Sequence, residues 1–140
     1  MAHDPTRIQL GTTQSNIKDV DNRVGAVDAG KIVRLKSDGT LSLAAADGSP
    51  LGISLGKDLS NTNKTAVART GLRVPILLTA AFTPAIGAQV HVSDTTGLAI
   101  ASGAGATGLN ATYVTGIMTG VKEDGVTEAN VALIDFPGGL

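Results

Sequence analysis

Short runs in which apolar and polar residues alternate, separated by turn residues, recur along this chain and constrain its fold more than any other feature. Residues 31–36 and 40–44 are two such runs, and Ser37-Asp38-Gly39 between them is a hairpin signal. Alternation with a period of two places successive side chains on opposite faces of a strand. Further strands are predicted at residues 51–55, 65–69, 72–78, 89–93, 98–101, 113–119 and 129–136.

Turn residues recur about every ten positions, a spacing typical of small barrels and sandwiches. Residues 79–86 are the one stretch that suits a short helical turn, and Pro84 limits its length. The predicted fold is therefore all-β, a small β-barrel or sandwich with a pseudo-duplicated body and an extended N-terminal arm.

A weak internal repeat relates residues 30–69 to residues 87–134. The offset is 57 residues at the first glycine (30 to 87), 58 at the turn glycine (39 to 97) and 64 at a later strand (52 to 116). The extra residues fall in the glycine-rich stretch 102–110, where an insertion lowers the stability of the fold least. Each half is too short to close its own core, so the repeat predicts one domain, residues 29–140. Coincidental spacing of β-turns is the alternative.

The charge balance excludes several classes of protein. Eleven basic and twelve acidic residues give a net charge of −1, so we expect neither nucleic acid nor a membrane among the partners. The absence of cysteine excludes disulfides, thiolate catalysis and cysteine-based zinc sites. The first ten residues do not resemble a signal peptide, and residues 74–88 are too short and too rich in proline to span a bilayer.

Residues 74–121 carry a single formal charge, Asp94. A stretch of this length with one charge cannot be an ordinary solvated face, so it lies inside the fold or is covered by another subunit. Charged residues are depleted at the cores of interfaces. We therefore expect a homo-oligomer, a trimer in preference to a dimer.

Residues 52–56 match G-x-S-x-G, the nucleophile elbow of serine hydrolases, with Ser54 as the nucleophile. The residues that follow are too polar and turn-rich for the helix that this motif requires. The repeat places Met118 at the position equivalent to Ser54, and His3 and His91 are the only available bases. We interpret the two glycines as structural, and expect Ser54→Ala to leave stability nearly unchanged.

Residues 103–108 match G-x-G-x-x-G, but β-prone sequence follows where a dinucleotide site needs a helix. The acidic pairs Asp19 with Asp21 and Glu123 with Asp124 lack the ligand number and spacing of a calcium site. The sequence therefore predicts no catalytic residue, no metal site and no cofactor, and the chain is not expected to be an enzyme.

Residues 1–28 differ from the rest of the chain because isolated apolar residues are scattered among threonine, asparagine, glutamine and aspartate. This composition suits an extended N-terminal arm better than a packed helix. Too few apolar residues are present to offset the entropy of ordering the segment by itself. The alternative is that the segment forms a first β-strand of the barrel.

The order of motifs resembles that of the capsid cement, or head decoration, proteins of tailed bacteriophages. A polar arm is followed by Gly30-Lys-Ile-Val-Arg-Leu, then Ser37-Asp38-Gly39-Thr-Leu, then Gly48-Ser-Pro-Leu-Gly52-Ile and a later Gly-x-x-V-x-V strand. The resemblance is clearest over residues 1–60, although the aromatic content is lower than in that family. It implies a protein that is made in the host cytoplasm, binds the outside of an expanded icosahedral head, generally as a trimer, and stabilises the shell.

Under this interpretation the arm binds the major capsid protein by adding to it as an extended strand. The residues expected to carry this contact are Arg7, Ile8, Leu10, Ile17, Lys18, Val20, Arg23 and Val24. A β-rich phage tail or fibre component, or a surface-array subunit, is the second candidate function. A small hydrolase that uses Ser54 is the third.

Overall fold

The computed structural model describes residues 17–121 and 129–140, which form one curled antiparallel sheet of nine strands. A 3₁₀ turn at Ala45–Asp47 is the only helix within these ranges. The predicted all-β, barrel-like fold class is confirmed. The strands are β1 Ile17–Val24, β2 Ile32–Leu35, β3 Leu41–Ser42, β4 Pro50–Lys57, β5 Lys64–Leu77, β6 Gln89–Ser93, β7 Ala99–Ile100, β8 Ala106–Val121 and β9 Ala129–Phe136.

The hairpin of β2 and β3 forms where the Ser37-Asp38-Gly39 signal predicts it. The Lys36 N–H donates to the Thr40 carbonyl at 2.8 Å and the Gly39 N–H to the Lys36 carbonyl at 2.9 Å. Gly39 has a φ of 85°, which a residue without a Cβ adopts at little cost. The Thr40 hydroxyl donates to the Asp38 carboxylate and holds the pKa of Asp38 below its usual value.

Two separately predicted strands, residues 65–69 and 72–78, are one continuous strand, β5. Its first half pairs with β1 and β4, and its second half pairs with β9. The register with β9 shifts between Gly71 and Val74, so the expected break is a bulge that bends the strand without ending it. Arg73 in the bulge has a φ of 56°, and its N–H donates to the Asp135 carboxylate at 2.8 Å.

The strand order is symmetric about the β5–β9 pair. The order runs β3-β2-β4-β5-β9-β8-β6-β7, so each half repeats the same sequence of neighbours outward from the centre. In the hairpins, Arg34 lies opposite Ser42, and His91 lies opposite Ile100, at offsets of 57 (34 to 91) and 58 (42 to 100). These offsets are the ones at which the two glycine patterns repeat in the sequence.

The longer strands show the same correspondence. In the first half Ile53 lies opposite Ala68, and in the second half Ile117 lies opposite Ala132. Both members are displaced by 64 residues (53 to 117 and 68 to 132), as in the sequence repeat. The two halves therefore pair their strands in matching registers.

One hydrophobic core serves both halves, since its main cluster takes residues from β2, β4, β5, β6, β8 and β9. A smaller cluster lies under the first hairpin and contains Val27, Val33, Leu41 and Val67. Most of these side chains are valine, isoleucine or alanine, and the largest buried apolar side chain is Phe136.

The two ends of the sheet meet where the β6–β7 turn packs on β2 and the segment after β3. The Ile32 N–H donates to the Gly97 carbonyl and the Ala45 N–H to the Asp94 carbonyl, both at 2.8 Å. A Cβ on Gly97 would lie 2.6 Å from the Ile32 carbonyl oxygen, so this close approach requires glycine. The junction brings the two ends of the curled, half-barrel sheet together.

Candidate functional site

The strand β1 carries the predicted capsid-binding residues that the structure describes. Arg7, Ile8 and Leu10 lie outside the described residues, as do the side chains of Ile17 and Lys18, whose backbone belongs to β1. β1 runs antiparallel to the first half of β5. Residues 17–24 of the predicted arm are therefore a strand of the sheet, which was the alternative interpretation of this segment.

Two apolar side chains on β1 are exposed. Val20 lies opposite Ala68 and Val24 lies opposite Lys64, with 54% and 50% of their surface accessible to solvent. Val20, Asn22 and Val24 lie on the same face of the strand, because successive side chains point to opposite faces. Among the described residues β1 pairs with β5 alone, so its other edge presents backbone donors and acceptors.

Arg23 already has an acidic partner within its own strand. Its Nε lies 2.8 Å from the Asp21 carboxylate, and both side chains are half-buried. The two residues occupy the same face of β1 because they are two positions apart. An acidic group on a partner would therefore have to compete with Asp21 for Arg23.

Two buried hydroxyl groups anchor the segment that follows β1. The Thr65 hydroxyl donates to the Gly25 carbonyl and accepts the Val27 N–H at 3.0 Å. The Ser54 hydroxyl donates to the Val27 carbonyl and accepts the Gly56 N–H, both at 3.1 Å. These contacts tie the exit of β1 to β4 and β5, so the position of the exposed valines is set by the body of the domain.

The serine of the G-x-S-x-G motif is a structural residue in this fold. Ser54 is buried within β4, and both hydrogen-bond partners of its hydroxyl are backbone groups. A Cβ on Gly52 would lie 2.3 Å from the Ala68 carbonyl oxygen, so the first glycine of the motif is needed for the approach of β5.

We expect Ser54→Ala to lower the free energy of unfolding by about 1–3 kcal/mol, because it leaves a buried carbonyl and a buried N–H without partners. This corrects the expectation of nearly unchanged stability. Urea denaturation measures the change, and Ser49→Ala at an exposed position is the matched control. A loss no larger than that of the control would contradict the anchoring role.

A second contact to β1 comes from the loop between β4 and β5. The Asn22 amide donates to the Asp58 carboxylate at 3.1 Å. The Ser60 hydroxyl and N–H donate to the same carboxylate, and with Asn22 they lower the pKa of Asp58 to about 2. Asp58 therefore stays ionised as an acceptor for Asn22 at all ordinary pH values.

The remaining motifs show no site for a ligand in the described part of the chain. The glycines of residues 103–108 precede and enter β8, so the motif opens a strand and not the helix of a dinucleotide site. No group of three histidine, aspartate or glutamate side chains that could hold a metal ion occurs in residues 17–121 and 129–140. No helix within those ranges has the length and apolar composition to cross a membrane.

Sequence reasoning missed a set of exposed apolar side chains outside β1. Ile86 is the most accessible of those in the second half, with 63% of its surface exposed. Its position between Pro84 and Gly87, in a stretch with no charge, is the signal that could have marked it as a contact residue. The exposed large apolar side chains of the described residues are Val20, Val24, Leu59, Leu72, Ile86 and Tyr113.

Comparisons with known proteins identify no relative. No protein-family model and no curated protein matches the sequence, and no solved structure matches the fold.

Proposed function

We propose that this protein is a capsid decoration, or cement, protein that binds the outer surface of a tailed-phage head and stabilises the expanded shell. The observation that carries the proposal is the position of β1. β1 is an edge strand with two exposed valines, and it pairs with β5 of the main sheet. The sixteen residues that precede β1 in the sequence lead directly into this strand.

The mechanism is strand addition by the N-terminal residues. Arg7, Ile8 and Leu10 precede β1, and an extended segment that contains them supplies backbone hydrogen bonds and alternate side chains to a capsid subunit. The ordering of such a segment costs about 2–5 kcal/mol, so one arm binds weakly. Three arms on one trimer engage neighbouring subunits of the major capsid protein, gain avidity and clamp those subunits together.

The nearly uncharged part of the second half, residues 74–121, supports the homo-oligomer in this proposal. Its loops between β5 and β6 and between β7 and β8 are exposed, yet they contain no charged residue. A neutral exposed surface of this extent suits contact with another protein better than contact with water. Partners of the proposed function are therefore the major capsid protein and further copies of this chain.

Co-sedimentation with purified heads tests the proposal. The protein is expected to sediment with expanded empty heads of the phage that encodes it and to stay in the supernatant with unexpanded heads. Binding to neither form, together with elongated particles in electron micrographs of the protein alone, would contradict the proposal and favour a tail or fibre component.

A further inference from the structure

The second half of β5 occupies the same place in the second repeat as β1 does in the first. Val20 on β1 lies opposite Ala68, and Ile76 on β5 lies opposite Ala132. The offsets are 56 (20 to 76) and 64 (68 to 132). They continue the gradual increase along the chain that gives 57 and 58 in the hairpins. β5 is therefore both the last strand of the first repeat and the first strand of the second.

The outer edge of this second half of β5 is covered by the first repeat. The Leu77 N–H donates to the Gly30 carbonyl at 2.8 Å, and Ile76 and Ala29 beside these two residues are buried. The residue equivalent to Leu77 on β1 is Asp21. Within the described part of the chain, no contact of the same kind covers β1 there.

The contact that the β6–β7 turn of the second repeat makes with the first repeat has no counterpart at the β2–β3 turn. Gly97 of the second repeat packs against Ile32 of the first, whereas a Cβ on the equivalent glycine, Gly39, would meet nothing within 4 Å. A Cβ on Gly87, which is equivalent to Gly30, would also meet nothing within 4 Å. Within residues 17–121 and 129–140, the interface between the repeats is therefore heterologous, and one copy of each of its two faces is unused.

The unused faces carry complementary groups. We call the one on the first repeat the β1 face (the Val20 side chain and the Asp21 N–H) and the one on the second repeat the Ile86 face (the Ile86 side chain and the Gly87 carbonyl). Val20 and Ile86 are exposed where their equivalents, Ile76 and Ala29, are buried.

We propose that copies of this chain associate head to tail, with the Ile86 face of one copy docked on the β1 face of the next. The contact repeats the one between the two halves of the chain, and a heterologous contact of this kind builds a closed ring when its rotation permits. The inference names the interface of the homo-oligomer in the proposed function, but self-association requires no capsid and is measured without one.

Sedimentation velocity of charged variants tests the head-to-tail arrangement. Val20→Asp and Ile86→Asp each place a carboxylate in one face, so each variant alone is expected to be a monomer. In an equal mixture, each variant still has one intact face, and the mixture is expected to form a heterodimer and nothing larger. Leu59→Asp, at an exposed apolar residue outside both faces, is expected to retain the wild-type oligomer.

Three results would overturn the proposal: a monomeric wild-type chain, variants that keep the wild-type oligomer, or a mixture that stays monomeric. If Val20→Asp does not fold, Val20→Ser replaces it, with a dissociation constant expected to rise about tenfold because a buried valine is lost. Head binding is measured in parallel. A wild-type chain that is monomeric in solution and still sediments with heads overturns the head-to-tail contact and leaves the capsid function standing. A wild-type head-to-tail oligomer that does not sediment with heads contradicts the capsid function and leaves the contact standing.

Discussion

Replacement of Arg34 by alanine is expected to lower the free energy of unfolding by about 3 kcal/mol, because it leaves the Leu43 carbonyl and the half-buried Asp94 carboxylate without the guanidinium that contacts both. The Arg34 side chain is 1% exposed. Its guanidinium donates to the Leu43 carbonyl at 3.0 Å and lies 3.4 Å from the Asp94 carboxylate, which also accepts the Thr107 hydroxyl. These contacts join β2 to the β6–β7 turn, where the two ends of the sheet meet.

Equilibrium urea denaturation measures the loss, and Arg69→Ala, at an exposed arginine on β5, is the matched control. The double variant Arg34→Met with Asp94→Asn is expected to recover much of the stability, since it removes both charges and keeps the apolar volume. If Arg34→Ala lowered the free energy of unfolding no more than Arg69→Ala does, the junction would not depend on the ion pair.

Deletion of residues 2–16 is expected to abolish head decoration while the body stays folded. β1 begins at Ile17, so the deletion leaves the nine strands and the hydroxyl anchors at Gly25 and Val27 in place. Loss of all arms removes both the strand addition and its avidity, and apparent affinity for heads is expected to fall at least about a hundredfold. Co-sedimentation gives the affinity, and circular dichroism with thermal melting reports the fold.

The longer deletion of residues 2–20 is the informative comparison. It removes half of β1 and its pairing with β5, so it is expected to lower the melting temperature in addition to head binding. Full binding by the chain that lacks residues 2–16 would place the capsid contact elsewhere on the surface. Unfolding of that shorter deletion would show that the first residues belong to the core.

Local pattern was sufficient for the fold class and for several strands. Residues 89–93 and 129–136 were predicted as strands with the bounds that β6 and β9 have, because alternation and flanking turn residues coincide there. The hairpin at Gly39 followed from a turn that requires a left-handed glycine. These features depend on residues close together in the chain.

Features that depend on distant residues were missed. Residues 65–69 and 72–78 were predicted as separate strands, but pairing with β9 continues the strand through a bulge. No prediction was made for Arg34, which is buried and contacts Asp94 sixty positions later in the chain. The arm was expected to extend to residue 28, and the part from Ile17 to Val24 pairs with β5, a partner about fifty residues away.

Part of the candidate site was accessible to sequence reasoning. Val20 and Val24 were selected as contact residues, and their side chains are exposed on β1. Arg23 was selected for its charge, but its ion pair with Asp21 depends on the strand conformation that brings both side chains to one face. Ile86 was not selected, although its position between Pro84 and Gly87 in an uncharged stretch is a signal for the exposed loop between β5 and β6.

The rupture temperature of expanded heads tests most directly whether this protein holds neighbouring capsid subunits together, as proposed. Heads stripped of the protein, heads to which the full chain is added back, and heads given the chain without residues 2–16 are heated in parallel, and rupture is followed by the release of packaged DNA. The full chain is expected to raise the rupture temperature, and the shortened chain is expected to leave it at the value of stripped heads. Equal rupture temperatures for stripped and fully decorated heads would contradict the clamping function.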